Sequence, residues 1–346
     1  MSKNFIYRVL MGLLLGVFLQ ACTPPMDGIT QGKVYRYLSA SQGRGVDVVV
    51  MGDGFTQEDL SNGVYDATMR QAAEHLFAVQ PYLRYREYFN VYIVEAVSAE
   101  SGVSDLDVTR DTRFGVRYTQ PGSGTGMSVD TDACFDYARK APIITDRTLI
   151  LLVANSTRYG GTCHMWTSGK AIAICPMPEH ASPYDFAAIV QHEAGGHGFA
   201  KLADEYTGTG SIDAQEIKDV RAWQWLGHYA NISLSGDLQK VPWKDFLGRP
   251  GYELVGAFEG AHTFSYGVWR PENKSCMVNN IAYYNAPSRL AIVKRILSLS
   301  GKGFSWTQFW VEDLKDAQNV PPEALGAFST AEQTLFPPLA PPVWRD

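Results

Sequence analysis

The sequence predicts an α/β (α+β) fold, a mixed sheet with helices packed on it and an irregular C-terminal subdomain. Three observations lead there. Val46–Met51 is a compact apolar run typical of a buried strand, and a helical stretch and a second strand at Phe89–Val97 follow it. Strand, helix, strand is how an α/β layer opens. Thr148–Ala154 is a third, strongly apolar strand, with a hairpin-like pair after it around Ser168-Gly169. Beyond Tyr206 the regular pattern gives way to Trp223–Trp225, Trp243 and a Gly/Pro-rich stretch at 248–251.

Composition allows such a core. Of 346 residues, 45% are hydrophobic and 19% charged, which excludes a disordered chain. The net charge is −6 and no basic run stands out, so neither nucleic acid nor an anionic membrane surface is expected as the main partner.

Residues 1–21 are expected to lie outside the fold. Lys3 and Arg8 supply a positive start, and Val9–Leu19 is an apolar run too short for a typical spanning helix, the pattern of a signal peptide. Leu19-Gln20-Ala21-Cys22 resembles a bacterial lipobox, which implies a lipid anchor at Cys22, an exported chain in the bacterial cell envelope and a short tether over 22–33. An ordinary secretory signal is the alternative, and both place the mature chain outside the cytoplasm. Without internal repeat or clear linker, residues 34–346 form one expected domain.

The elements follow in order. A short β-rich lead-in begins at Val34. After the strand, Gly52-Asp53-Gly54 makes a turn, and Thr56 with Asp59 forms a capping signal for a helix over Gln57–Val79. Residues 98–130, rich in Ser, Asp, Gly and Thr, are expected as long loops; Asp105, Asp107 and Asp111 there lack the spacing of a calcium loop. A helix at Thr131–Lys140 precedes the third strand. The hairpin is expected to offer an edge strand able to pair with an extended peptide. Ser182–Val190 begins the next helix, Ser288–Leu299 forms another, and the proline-rich segment from Pro321 is expected to wrap loosely on the surface. Four cysteines besides Cys22 (Cys134, Cys163, Cys175 and Cys276) permit two disulfides in an exported chain, with Cys163–Cys175 the favoured pair and buried free thiols the alternative.

The chemistry concentrates in Gln191–Tyr206, QHEAGGHGFAKLADEY. Two histidines and a carboxylate are ligands that catalytic Zn²⁺ sites use, and a glutamate beside the first histidine is where a zinc peptidase keeps its general base. The usual string is H-E-x-x-H; here His192-Glu193-Ala194-Gly195-Gly196-His197 is one residue longer. On a regular helix a five-residue step leaves the imidazoles roughly 140° apart, against roughly 40° for four. A single π-bulge, eased by Gly195 and Gly196, is the expected remedy. The longer string also resembles the motif of the dipeptidyl peptidase III family. A continuous helix would carry Asp204 about 18 Å along the axis from His192, so the chain must fold back, with Gly198 the expected stop. Asp204 is then the favoured third ligand, Glu205 the next and Glu259 a reserve.

The wider sequence resembles the IgA peptidase family of zinc metallopeptidases from about residue 46 to 299. The matching pieces are Val48–Thr56, Tyr85–Val91, Glu100–Ser104, Tyr159-Gly160-Gly161, Gly196-His197 through Leu202–Tyr206, Phe258–Ala261, and Arg270-Pro271 with Cys276-Met277. The resemblance implies a metzincin-like (zincin-like) peptidase domain with one catalytic Zn²⁺, His192, His197 and Asp204 as ligands, Glu193 as base, and a peptide or protein substrate. It also implies that Met277 packs beneath the metal. Tyr283 and Tyr284 lie too far beyond Met277 for the tyrosine that follows that turn in some metzincins, and are expected to pack in the core or rim. A peptide- or glycan-binding lipoprotein without turnover, and a zinc amidase acting on cell-wall peptides, are the competing readings.

Overall fold

The computed structural model describes residues 32–142, 145, 147–325 and 336–345. The expected signal peptide, Cys22 and most of the tether lie outside them. No helix among the described residues is long and apolar enough to cross a membrane.

The first half supplies six strands of a seven-stranded mixed sheet, β1 (Val34–Leu38), β2 (Val46–Asp53), β3 (Phe89–Val94), β6 (Leu149–Ala154), β7 (Thr162–Trp166) and β8 (Ala171–Pro176), and the C-terminal β11 (Val343–Arg345) completes it. Their order across the sheet is β1-β3-β2-β6-β8-β7-β11. β3, β2, β6 and β8 run parallel; β1 and β7 are antiparallel to their inner neighbours. Parallel strands need cover on both faces, which is why these four are near-continuous apolar runs instead of alternating ones. Val48 and Val50 join Met69, Leu76 and Ile189 in one core, whereas Val49 and Met51 join Phe114, Cys134 and Ile150 in the other.

The expected helix over Gln57–Val79 is two helices. α1 (Gln57–Ser61) starts on the Thr56–Asp59 capping box, and α2 (Val64–Phe77) starts afresh after Gly63, whose φ of 82° a helix interior does not accommodate. Residues 98–130 are loops with one small antiparallel pair, β4 (Arg117–Tyr118) and β5 (Met127–Ser128). Buried Asp53 ties them to the sheet, accepting from the backbone N–H groups of Phe114 and Val116 at 2.8 Å each. Asp105 is engaged by Arg158 at 2.8 Å. α3 (Thr131–Ala138) covers the second face.

The second half is less regular, as expected. It holds α5 (Ala214–Trp225), a hairpin of β9 (Phe258–Ala261) and β10 (Phe264–Arg270), α6 (Cys276–Asn279), α7 (Ala286–Leu299) and α8 (Trp306–Ala317).

Two expectations fail. All four cysteines are buried and free. Cys163 pairs across the hairpin with Ala173, not Cys175; diagonal neighbours two residues off register stand about 7–8 Å apart, beyond disulfide reach. The last described segment does not wrap loosely either. Val343–Arg345 pairs in parallel with His164–Trp166, so β7 is no open edge.

Candidate metal centre

The helix expected from Ser182 starts a few residues later. α4 (Phe186–Ile189) begins at the Asp185 cap and runs without a break into a ten-residue π-helix, Val190–Phe199. The single bulge expected from the spacing is therefore a whole π segment. Bonds reaching back five residues place positions five apart on one face, so His192 and His197 point the same way.

The two glycines act through space, not backbone angle. Neither has positive φ. A Cβ on Gly195 would overlap the Tyr284 hydroxyl, and one on Gly196 would overlap Met277 Sδ. Tyr284 donates to the Gln191 carbonyl, and Tyr82 to the Gly195 carbonyl at 2.7 Å. Tyrosines thus tie down carbonyls of the wide helix. Gly196→Ala is expected to cost about 1–3 kcal/mol, the usual effect of overpacking, and to lower metal affinity by lifting the helix off Met277. Urea unfolding and metal titration of the variant check this.

The reversal comes at Lys201, with φ 58°, not at Gly198, whose missing side chain instead admits Leu149. Leu202 N–H bonds back to the Gly196 carbonyl at 3.0 Å, and Asn231 holds Ala203 through both its N–H (2.9 Å) and its carbonyl (2.8 Å). This brings Asp204 under the histidines.

The resulting cluster is tight. His192 Nε2 and His197 Nε2 are 3.1 Å apart, and Asp204 Oδ1 lies 3.2 and 3.3 Å from them. Tetrahedral Zn²⁺ with ligands at about 2.0–2.1 Å would set them about 3.3–3.4 Å apart. The Nδ1 atoms face backbone carbonyls, Cys276 O at 3.0 Å and Leu202 O at 2.8 Å. A carbonyl only accepts, so each Nδ1 carries a proton, which leaves Nε2, the atom turned toward the carboxylate, as the one available to a metal. Two ring nitrogens and a carboxylate oxygen, buried and this close together, form a donor set that suits a cation. Among the described residues, these three form the one His/Cys/Asp/Glu group close enough to hold a metal.

Glu193 is fully buried beside them, and neither carboxyl oxygen has a hydrogen-bond partner. A Cβ on Gly161 would come within 2.9 Å of its Oε1, which explains the glycine after Tyr159-Gly160. Burial, and then Asp204, push its pKa up to about 8 against the pull of His192; a cation on the cluster favours the ionised form.

The other candidates are placed elsewhere. Glu205 turns away to accept from Asn231, Asn285 and Ser275. This clamps the turn at Met277, whose carbonyl accepts from Glu205 N–H at 2.8 Å. Exposed Glu259 accepts from Gly267 N–H at 3.0 Å, apart from the cluster. Tyr283 donates to Glu272 at 2.9 Å, so it packs as expected. Sequence reasoning missed Tyr206: its hydroxyl donates to the Leu339 carbonyl at 2.8 Å, and its ring lies close enough to Asp204 and Glu193 to feel both charges. The aromatic ending of the DEY string was the available signal.

A family model described as IgA Peptidase M64 matches residues 37–252, more than half of the chain and all of Gln191–Tyr206. The chain belongs to the IgA peptidase M64 family. It is accordingly a peptidase, a hydrolase of peptide bonds. The M64 match begins earlier than the resembling pieces and stops before the Cys276–Met277 turn, which the fold nevertheless packs against the π-helix. No curated protein matches the chain.

Proposed function

We propose that this M64 member is a metzincin-like zinc peptidase, with His192, His197 and Asp204 as ligands and Glu193 as general base. The observation that carries the reading is the trio of buried ligand atoms, two Nε2 and one Oδ1, 3.1–3.3 Å apart, with the buried Glu193 carboxyl beside them. Zinc bound there would polarise a peptide carbonyl and make a water acidic enough to be deprotonated near neutral pH. Glu193 would take the proton of that water and deliver it to the departing amine. The Cys276 and Leu202 carbonyls keep both imidazoles in the ligating tautomer.

Export, anchoring through a lipid at Cys22 and the action of residues 34–346 as one catalytic domain belong to the same proposal and rest on the sequence alone. Cleavage of immunoglobulin A does not follow from the family.

The test is metal content and peptide turnover of the purified mature chain. About one zinc per chain is expected, with cleavage of a mixed peptide library that stops on chelation and returns with zinc. His192→Ala and Asp204→Asn should lose both. Full zinc occupancy in either variant, or a zinc-loaded chain inert on the library even at saturating peptide, would contradict the reading.

A further inference from the structure

His192, Glu193, His197 and Asp204 are each at most 1% exposed. A peptidase that cuts other chains must admit them, and a segment of this chain packs beside the site. Leu339 is 1% exposed, and its carbonyl accepts from Tyr206, two residues beyond Asp204, while Thr125, whose carbonyl accepts from Gly161 N–H at 3.0 Å, borders Glu193 through that glycine. One residue earlier, the Pro338 carbonyl accepts from Thr125 Oγ1 at 3.0 Å. Ala340 then passes over Gly126, where an added Cβ would stand 3.7 Å from its own.

Both ends of the segment are fastened. Phe336 packs against Tyr159 and Tyr184, with ring centroids 5.1 and 4.6 Å away, beside a cavity of about 380 Å³ that Tyr206 also lines. Trp344 stacks on Trp223 at 4.8 Å and donates to the Tyr229 hydroxyl at 2.8 Å. Arg345 donates to His164 Nδ1. Between them, β11 fills the edge of β7, the strand that follows Gly161 and so borders Glu193.

We propose that Phe336–Arg345 is an intramolecular inhibitor of this peptidase, seated along the peptide path with its Leu339 carbonyl on Tyr206, where a substrate carbonyl would be presented. The proposal rests on the peptidase reading above. Its physical basis is that the groove addresses backbone, not side chain. Thr125 and Tyr206 donate to peptide carbonyls, and β7 pairs main chain to main chain, so any extended peptide can make the same bonds. The segment and a substrate therefore compete for one set of donors. Four prolines, 337, 338, 341 and 342, stiffen the segment and remove N–H groups, so it is held with little entropy cost and few ladder bonds. Such a strap is displaceable.

A competitor that leaves the groove open in only a few per cent of molecules lowers apparent substrate affinity to that few per cent of its intrinsic value. Loosening it in the full chain with Trp344→Ala plus Leu339→Gly should therefore lower KM for an external peptide by at least about tenfold, at unchanged metal content. A labelled synthetic peptide of residues 336–345 should bind the double variant, seen as a rise in fluorescence anisotropy, and should inhibit it competitively. Unchanged or higher KM in a variant that keeps its thermal transition and its metal would overturn the proposal, as would failure of the peptide to bind it. Where the double variant does not fold, Trp344→Phe, which keeps the stacking but loses the bond to Tyr229, carries the same comparison with a smaller expected drop. Peptide binding needs no turnover. A zinc-loaded protein that binds the peptide and cleaves nothing therefore sinks the peptidase reading, and with it inhibition, whereas a protease whose KM ignores the variant sinks the strap alone.

Discussion

Glu193→Gln is expected to reduce peptide turnover by about 10²–10⁴-fold while leaving the metal in place. The carboxyl is buried without a well-formed hydrogen bond, the Cys163 N–H being a nearby donor that an amide oxygen can also meet, so the amide gives up little. Size and shape are conserved, and Gly161 still leaves room for the terminal group. Zinc content should hold because the converging atoms belong to His192, His197 and Asp204, not to Glu193. What disappears is the capacity to accept the proton of water. The loss should fall on kcat, with KM little changed, since substrate contacts lie elsewhere.

The second large effect is structural. Arg289 is fully buried and donates to both oxygens of buried Asp313, at 2.7 and 2.8 Å, and to the Tyr284 carbonyl at 2.8 Å. Arg289→Met leaves Asp313 buried with the Tyr252 hydroxyl as its remaining bond, at 3.0 Å. Removing one partner of a buried pair typically costs about 3–5 kcal/mol, and that loss is expected in urea unfolding. Activity should fall with it, because Tyr284 holds the Gln191 carbonyl at the start of the π-helix. The double variant Arg289→Met/Asp313→Leu should regain much of the stability, since the uncompensated charge is then gone. A single variant within about 0.5 kcal/mol of wild type, the range of ordinary surface changes, would show that the pair carries no such burden.

The sequence revealed most where physics is local. Buried parallel strands are apolar on both faces, so Val46–Met51 and Thr148–Ala154 announced themselves without their partners. The histidine string carried its own problem and its own remedy: five-residue spacing demands a wide helix, and a wide helix is there. Its ten-residue length was not legible, because it depends on hydroxyls of Tyr82 and Tyr284, 113 and 93 residues away in sequence, reaching its carbonyls. The glycines were noticed for the wrong reason; only the placed Met277 and Tyr284 show that space is what they supply. Gly63 splitting the first helix was readable from its residue type. The ending at Lys201 was not, since nothing local marks a lysine for positive φ. Least legible was β11, three residues with no alternating pattern whose partner strand lies some 180 residues earlier.

Hydrolysis at a metal cluster with Glu193 as its base is open to direct test. The most direct measurement is zinc content and peptide turnover of wild type and Glu193→Gln, purified and assayed side by side. The account predicts about one zinc per chain in both and turnover reduced at least about 100-fold in the variant. A Glu193→Gln protein that keeps more than about a tenth of wild-type turnover, or that has lost its zinc, would contradict it.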